Sequence, residues 1–456
     1  MTMEKLRNFI KEQNDFKSSD LKSEFVGEEN LEVKGVNVIL LHDGINEIKQ
    51  AHNQVVYAVF DQTPFYAEKG GQINDRGTIQ WTGGNGIIID VQPTSDGINI
   101  HEIEIQGELK VGDKVDANVD KIKRLLTMKN HTATHLTTAA AYEVLGPSLD
   151  HTTSFNDEHG MRKDFAYHRA VTQQELTKIQ NLTLKSIRDA IPREIHFTTP
   201  DEAINKYHAL SFDGDKFDED TLVRIIRFGN FSCELCAGTH VLNTKDLEDY
   251  VITNLESKGN GRFRIKALTS YETVRNHYDN LLDEQNKKLG SLIAKYNGMK
   301  NENCNKNIDH VINEIQLIEH NRENIHLFQT QLDELAELIR VLEKEAAKKN
   351  EANILQEIKD VKPQLNADGI NEIKFEKDNL NITVLRSIGE EFKKNYADLI
   401  VILKSQSEEG NFIYVTISES LKGKASAVEI LRNQKDIVAK GGGNELAAQG
   451  KYEVIK

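Results

Sequence analysis

The pattern of apolar and polar positions changes character four times along the 456 residues. Residues 1–25 are polar and helix-like with no apolar face, and read as a linker remnant. From 26 to 118, β-branched runs ("VNVILL", "QVVYAVF", "GIIIDV", "INIHEIEI") alternate with turn chemistry ("HDG", "WTGGNG", "TSDG"). That spacing predicts short strands in a small β-barrel or sandwich. Residues 119–270 are mixed. One helix is predicted from near Asp120 to about Leu145, stopped at Gly146-Pro147. A second opens at Thr172, where Glu175 completes a capping box, and ends before Pro192. A strand-like "REIHFTT", an acidic loop "DGDKFDED" and "TLVRIIRFGNFSCELCAGTHV" follow.

From 271 to 372 the chain is helical and charged, with a break near "NGMKNENCNKN". Val274, Tyr278, Leu281, Leu289, Leu292 and Tyr296 form one apolar stripe, and Leu332, Leu335, Ile339 and Leu342 another. Two such arms predict an antiparallel helical hairpin or coiled coil, either a spacer or a dimerising element. In 373–456, "NITVLRSI", "DLIVILKS" and "FIYVTIS" are predicted strands, with helices between the first two and after the third. This is an α/β pattern with some parallel pairing. The expected fold class is therefore α+β multidomain.

Composition narrows the function classes. No apolar run approaches the roughly 18 residues of a membrane span, and the charged N-terminus lacks a secretory apolar core. Three cysteines cannot build a disulfide framework, so a cytoplasmic location is expected. A net charge of −15 argues against blanket nucleic-acid binding. Two stretches nevertheless carry four basic residues and no acid: "KIKRLLTMKN", with Lys121, Lys123 and Arg124, and "SKGNGRFRIKALTS", with Lys258, Arg262 and Arg264. They flank the chemistry below, and read either as phosphate contacts or as solvated faces.

His131 and His135 stand four apart on the predicted helix, so both imidazoles can meet one ion. Cys236 and His240 repeat that spacing about a hundred residues later. Thiolate and imidazole ligands in a set of four suit one zinc ion. The spacing of the histidines matches a metalloprotease motif, but Thr132 stands where its glutamate would be. Cys233 and Cys236 also form a C-x2-C pair, for which a redox role is the alternative. The motif runs into a Gly-Thr-His turn, so Cys236 reads as a ligand and Cys233 as its packed neighbour. In "QTPFYAEKGGQINDRG", Gly70-Gly71 permits close backbone approach, with Gln72 and Asp75 following. This stretch is a solvated β-turn or a loop lining a pocket.

"TPFYAEKGGQINDRG", "NHTATHL" and "CELCAGTHV" together resemble the editing domain of alanyl-tRNA synthetase and the free-standing alanyl-tRNA editing proteins. "AKGGGNELAAQG" resembles the glycine-rich C-terminal domain of that synthetase, also appended to DHH phosphoesterases. The resemblance runs from about residue 25 to 456 and concerns the synthetase's C-terminal half. Its class II aminoacylation domain would precede residue 1, so ATP-dependent alanine ligation is not expected without a missing half. The resemblance implies hydrolysis of tRNA(Ala) mischarged with serine or glycine, with zinc on His131, His135, Cys236 and His240. It places Gln72 in the editing pocket and Thr152 near a threonine that recognises serine. Gly441, Gly442 and Gly443 would lie in a tRNA-contacting loop, and the helical arms or the C-terminal domain would form a homodimer. Two departures stand out: Ala237 replaces a usual glycine, and "NEL" follows the triple glycine. A non-catalytic tRNA-binding and dimerising module with a structural zinc is the rival reading. A metal-dependent phosphoesterase is a weaker one, since its Asp-His-His motifs are not visible.

Overall fold

The computed structural model describes residues 22–94, 97–210, 222–299, 306–319, 321–407 and 410–454. The acidic loop predicted at 213–220, most of the presumed linker and the core of the predicted helical break lie outside these residues. The chain divides into two compact units, Met1–Asn280 and Leu281–Lys456.

Unit 1 begins with a closed antiparallel barrel. Its strands are β1 (Glu32–His42), β2 (Val55–Phe60), β3 (Gly77–Trp81), β4 (Gly84–Pro93), β5 (Asn99–Lys110) and β6 (Lys114–Val119). Pairing follows β1-β2-β5-β4-β3-β6, and β6 returns to β1 through Val115↔Val36 and Ala117↔Val33. Alternate side chains point inward, so Val36, Val38, Val56, Ala58, Ile79, Ile88, Ile103 and Val115 fill one core. The sequence reading missed β3 and β6. Both are short and half polar, and only closure of the barrel buries Ile79 and Val115. The presumed linker also reaches this part: Glu24–Phe25 pairs in parallel with Gln62–Thr63.

The second part of unit 1 is organised by α1 (Lys121–Leu145). Asp120 caps it by accepting from the backbone N–H groups of Ile122 and Lys123, and Gly146 ends it at φ 84°. Around α1 lie a four-stranded antiparallel sheet, the helix α2 (Gln173–Arg188) and a three-stranded antiparallel sheet. The first sheet is β7 (Asp150–Asp157), β8 (Gly160–Ala166), β13 (Arg262–Thr269) and β12 (Tyr250–Gly259) in spatial order. The second is β9 (Arg193–Thr198), β10 (Val223–Phe228) and β11 (Ser232–Leu235). A helix enclosed this way must satisfy its polar residues internally. Thr137 Oγ1 meets the Tyr250 hydroxyl at 2.8 Å, and Asn130 Oδ1 accepts from Thr269 Oγ1 at 2.6 Å.

Three helices are described at the join of the units and in unit 2: α3 (Tyr271–Met299), α4 (Lys306–Leu317) and α5 (Ile325–Glu357). The expected antiparallel hairpin is corrected here. Gln285 bonds Gln329, Lys288 pairs with Asp333, and Lys295 pairs with Glu343. Partner numbers rise together, so the two long helices run parallel. The short α4 makes the return run between them, and its Ile308, Val311 and Ile315 join Leu289, Tyr296, Leu332 and Ile339 in one core.

The C-terminal sheet has β14 (Asn371–Glu376) parallel to β15 (Leu399–Ser407). β16 (Gly410–Ile417), β18 (Ala447–Val454) and β17 (Ile437–Gly443) then add antiparallel. "NITVLRSI", expected as a strand, is the start of helix α6 (Ile382–Asn395). Its β-branched residues favour a strand locally, but Asn381 caps the helix and Leu385, Ile388 and Phe392 recur on one buried face. The helix α7 (Ala427–Arg432) packs on β16, β17 and β18. Among the described residues no helix is long and apolar enough to cross a membrane.

Candidate metal centre

Two ligand candidates come from α1 and two from the turn after β11. His131 and His135 stand one helical turn apart, while Cys236 and His240 flank "AGT". One donor atom from each of the four lies within 4.8 Å of the others. Cys236 Sγ is 3.5 Å from His131 Nε2 and 3.3 Å from His240 Nε2.

Each imidazole has a partner behind it. Gln72 Oε1 lies 2.8 Å from His131 Nδ1 and also accepts from the Thr239 N–H at 2.8 Å. A carboxamide oxygen only accepts, so His131 Nδ1 carries the proton and Nε2 keeps its lone pair for the cluster. Thr132 Oγ1 lies 3.1 Å from His240 Nδ1, and Glu234 Oε2 lies 3.5 Å from His135 Nε2. The second ring nitrogen of His135, Nδ1, is buried without a hydrogen-bond partner.

The electrostatics suit a cation. Burial, with Arg224 and Lys163 adding to it, holds His131 down to about 3. Burial also drives His135 and His240 well below the ordinary imidazole range. All three rings are therefore neutral near pH 7, the state that binds metals. Burial pushes the Cys236 thiol up to about 12, so the proton stays on sulfur until a cation displaces it. Three neutral imidazoles, one thiol and an orphaned buried nitrogen fit a metal ion.

The loop carrying Cys236 and His240 is held from outside. Arg224 Nη1 donates to the carbonyls of Cys236 at 3.1 Å and Gly238 at 2.7 Å. Arg193 Nη1 donates to the carbonyl of His240 at 2.8 Å. Glu28 bridges both guanidinium groups, at 2.6 Å from Arg193 Nη1 and 3.0 Å from Arg224 Nη2. A Cβ at Gly238 would come within 2.2 Å of His131 Cε1, so only glycine fits there. Ala237 is not among the residues with positive φ, so it carries none of the left-handed strain that a replaced glycine suggests.

A cavity of about 580 Å³ opens onto the cluster. Its lining includes His131, His135 and Cys236 of the cluster, Gly70 and Gly71, Thr152, Thr153 and Ser154, and Leu222, Val223, Arg224 and Leu235. Gly71 needs its φ of +77°, because a Cβ would sit 2.5 Å from the Ser154 carbonyl oxygen.

The class II (A) tRNA synthetase family model matches residues 2–123. The model for the second additional domain of threonyl- and alanyl-tRNA synthetases matches residues 223–266, which hold Cys236 and His240. An alanine–tRNA ligase of Mycoplasma capricolum is 41% identical over 447 residues, covering 98% of this chain and 50% of that protein. One from Thermotoga petrophila is 32% identical over 432 residues, covering 94% and 46%. The chain is similar to alanine–tRNA ligases. It spans about half the length of the curated relatives it matches.

Several expected roles change. Gln72 is fully buried, and its amide groups are spent on His131 and Thr239, where Nε2 donates to Oγ1 at 2.8 Å. It positions the cluster and does not face the cavity. Thr152 does line the cavity. Arg124, expected to meet tRNA, is 1% exposed. Its Nε donates to Asp75 Oδ1 at 2.8 Å, and Nη2 donates to the Pro64 carbonyl at 2.9 Å. Lys121 pairs with Glu32, Lys123 with Glu158, Lys258 with Glu256 and Arg264 with Asp164. Acids outside the two basic stretches thus pair with them, from distant segments for Lys121, Lys123 and Arg264 and from the same strand for Lys258. Gly441–Gly443, expected as a loop, are a strand: Gly441 faces Gly450, Gly442 faces Gln449 and Gly443 faces Ala448. Cys233 belongs to a different apolar cluster, with Val223, Ile225 and Leu235.

Sequence reasoning missed Glu28, Arg193, Arg224 and Glu234. The available signal was an arginine interrupting the apolar run "VRIIRF", since charge there needs a buried partner.

Proposed function

We propose that this chain is a metal-dependent aminoacyl-tRNA deacylase. Its substrate is the ester joining serine or glycine to the 3′-terminal ribose of tRNA(Ala), and its single ion is zinc. The observation that carries this reading is the cavity opening directly onto the His131, His135, Cys236 and His240 cluster. Support for the substrate class comes from the relatives, which are named alanine–tRNA ligases.

Those four side chains would hold the ion, which when bound supplies a Lewis acid to polarise the ester or a water. An aminoacyl ester is already activated, so no neighbouring glutamate of the protease kind is required. The chain's own groups supply orientation and shelter. Gln72, Thr132 and Glu234 fix the three imidazoles in register with Cys236. The Gly70-Gly71 backbone allows close approach of the substrate. Leu222 and Leu235 limit water at the walls. The Thr152 hydroxyl on the cavity wall rewards the serine hydroxyl with a hydrogen bond that alanine cannot make. Exposed Lys121, Lys258 and Arg262, with half-exposed Lys123, carry the phosphate contacts.

One observation favours a second reading. Four protein donors could fill the coordination of a bound ion, which would suit a structural ion in a non-catalytic tRNA-binding module. Release of serine from Ser-tRNA(Ala), with Ala-tRNA(Ala) as control, separates the two. Wild type should release serine, and Cys236→Ala should abolish release. A wild type that binds tRNA and zinc without releasing serine establishes the module instead.

A further inference from the structure

The rim of the cavity carries a feature that ester hydrolysis does not use. Phe197 is 65% exposed and Leu222 is 66% exposed. Single exposed apolar residues are ordinary on protein surfaces and need no explanation. These two differ because they mark one place. Leu222 lines the cavity beside Arg224. Phe197 on β9 lies directly across the ladder from Arg224 on β10, so the two side chains share one face of the sheet. Arg224 lines the cavity, so Phe197 stands next to a side chain of the cavity wall. On the other face Ile225 is buried against Ala203 and Ala209, and Val223 and Leu235 of that face also reach the cavity lining. An exposed aromatic ring therefore stands beside the cavity wall at Arg224.

The charge beside the same wall is positive. Arg224 lines the wall, and Lys69, exposed beside Gly70, is close enough to it for the two charges to oppose each other. An exposed ring next to cations, continuous with a cavity, is the combination that holds a single-stranded nucleotide by stacking its base and attracting its phosphate.

We propose that Phe197, with Leu222 beside the same opening, is a stacking platform for the 3′-terminal nucleobase of the aminoacyl-tRNA, the adjoining phosphate lying toward Arg224 and Lys69. The proposal rests on the deacylase reading and adds the contact that sets the depth of entry. With the base held on the rim, the esterified ribose points inward to the cluster.

The test compares wild type, Phe197→Ala and Phe197→Tyr in deacylation of Ser-tRNA(Ala). Loss of one base–aromatic stack weakens binding by about 5- to 150-fold. Phe197→Ala should therefore raise KM at least about fivefold while kcat changes by less than about threefold, and Phe197→Tyr should restore KM. A substrate with an abasic 3′-terminal residue should be insensitive to Phe197→Ala. In a second measurement, Phe197→Trp places a reporter on the rim of a chain whose natural tryptophan, Trp81, sits in the barrel. A 3′-terminal ACCA tetranucleotide should quench the new fluorescence, and its abasic counterpart should not. Unchanged KM in Phe197→Ala, an equal KM rise on the abasic substrate, or equal quenching by both oligonucleotides overturns the platform. A wild type that releases no serine overturns the deacylase reading alone, because quenching still reports stacking.

Discussion

Replacing Arg124 by methionine removes a guanidinium group that the fold has buried to 1% exposure. The change keeps the aliphatic stem but leaves the Asp75 carboxylate, 5% exposed, without its counter-charge. It also removes donors from the carbonyls of Gly27, at 2.5 Å, and Pro64, at 2.9 Å. Breaking a buried ion pair from one side costs about 3–5 kcal/mol, because the remaining charge is stranded in low dielectric. Asp75 keeps one bond, from the Tyr66 N–H at 2.7 Å, which argues for the lower half of that range. At about 2–4 °C per kcal/mol for a unit of this size, the midpoint of thermal unfolding should fall by roughly 6–16 °C. Urea unfolding of wild type, Arg124→Met, Asp75→Leu and the double variant measures this as a thermodynamic cycle. The double variant should be more stable than the sum of the single losses by at least about 1 kcal/mol, since no lone charge remains. If Arg124→Met unfolds within about 1 kcal/mol of wild type, or the losses simply add, the pair is not what joins the barrel to α1. Salt dependence of tRNA binding gives a separate check. The slope should be unchanged in Arg124→Met, because a side chain this buried cannot release counterions from a phosphate.

The exposed cations behave differently: Lys121→Ala with Lys123→Ala should weaken tRNA binding uniformly and flatten the salt slope by about one per lysine, and an unchanged slope marks them as a solvated face. Gln72→Ala should lower metal affinity about 10- to 100-fold in competition with a chelator, because His131 loses the partner that fixes its proton; equal affinity removes Gln72 from the positioning role. Cys233→Ser should leave metal content at one ion per chain while Cys236→Ser loses it, which elemental analysis reads directly; equal loss in both would return Cys233 to the ligand set. Acid should weaken unit 1 through His101, which burial holds down to about 4 in the folded barrel. The unfolded ring titrates near 6.5, so stability is full above that value and falls as pH drops from 6.5 toward 4. The drop amounts to about 3 kcal/mol at 1.36 kcal/mol per unit. Urea unfolding at several pH values should show a shallower decline in His101→Asn, and parallel declines in the two proteins would refute the assignment.

Much of the candidate site was legible because its signals are local. The i, i+4 spacing of His131 and His135 becomes a shared face as soon as the segment is helical, and Asp120 and Gly146 mark where that helix starts and stops. The capping box of Thr172 and Glu175 is equally local, with both of its bonds present. Where local preference and packing disagreed, the sequence reading failed. Ile382, Thr383 and Val384 look like a strand until Leu385, Ile388 and Phe392 are set against the C-terminal sheet. The triple glycine looks like a loop until its ladder with Gly450, Gln449 and Ala448 is seen.

What the sequence determined by itself was which residues could do chemistry and which short elements would present them, since periodicity, caps and ligand spacing act within a few residues. Tertiary structure alone decided which groups face each other across long separations. It brought Gln72 to His131 and Thr239, set Glu28 between Arg193 and Arg224, hid Arg124 against Asp75, and ran the two long helices parallel. Such pairings depend on where the whole chain buries apolar surface. A basic residue's fate as an exposed phosphate contact or an internal strut is settled only when a carboxylate from elsewhere in the fold arrives beside it.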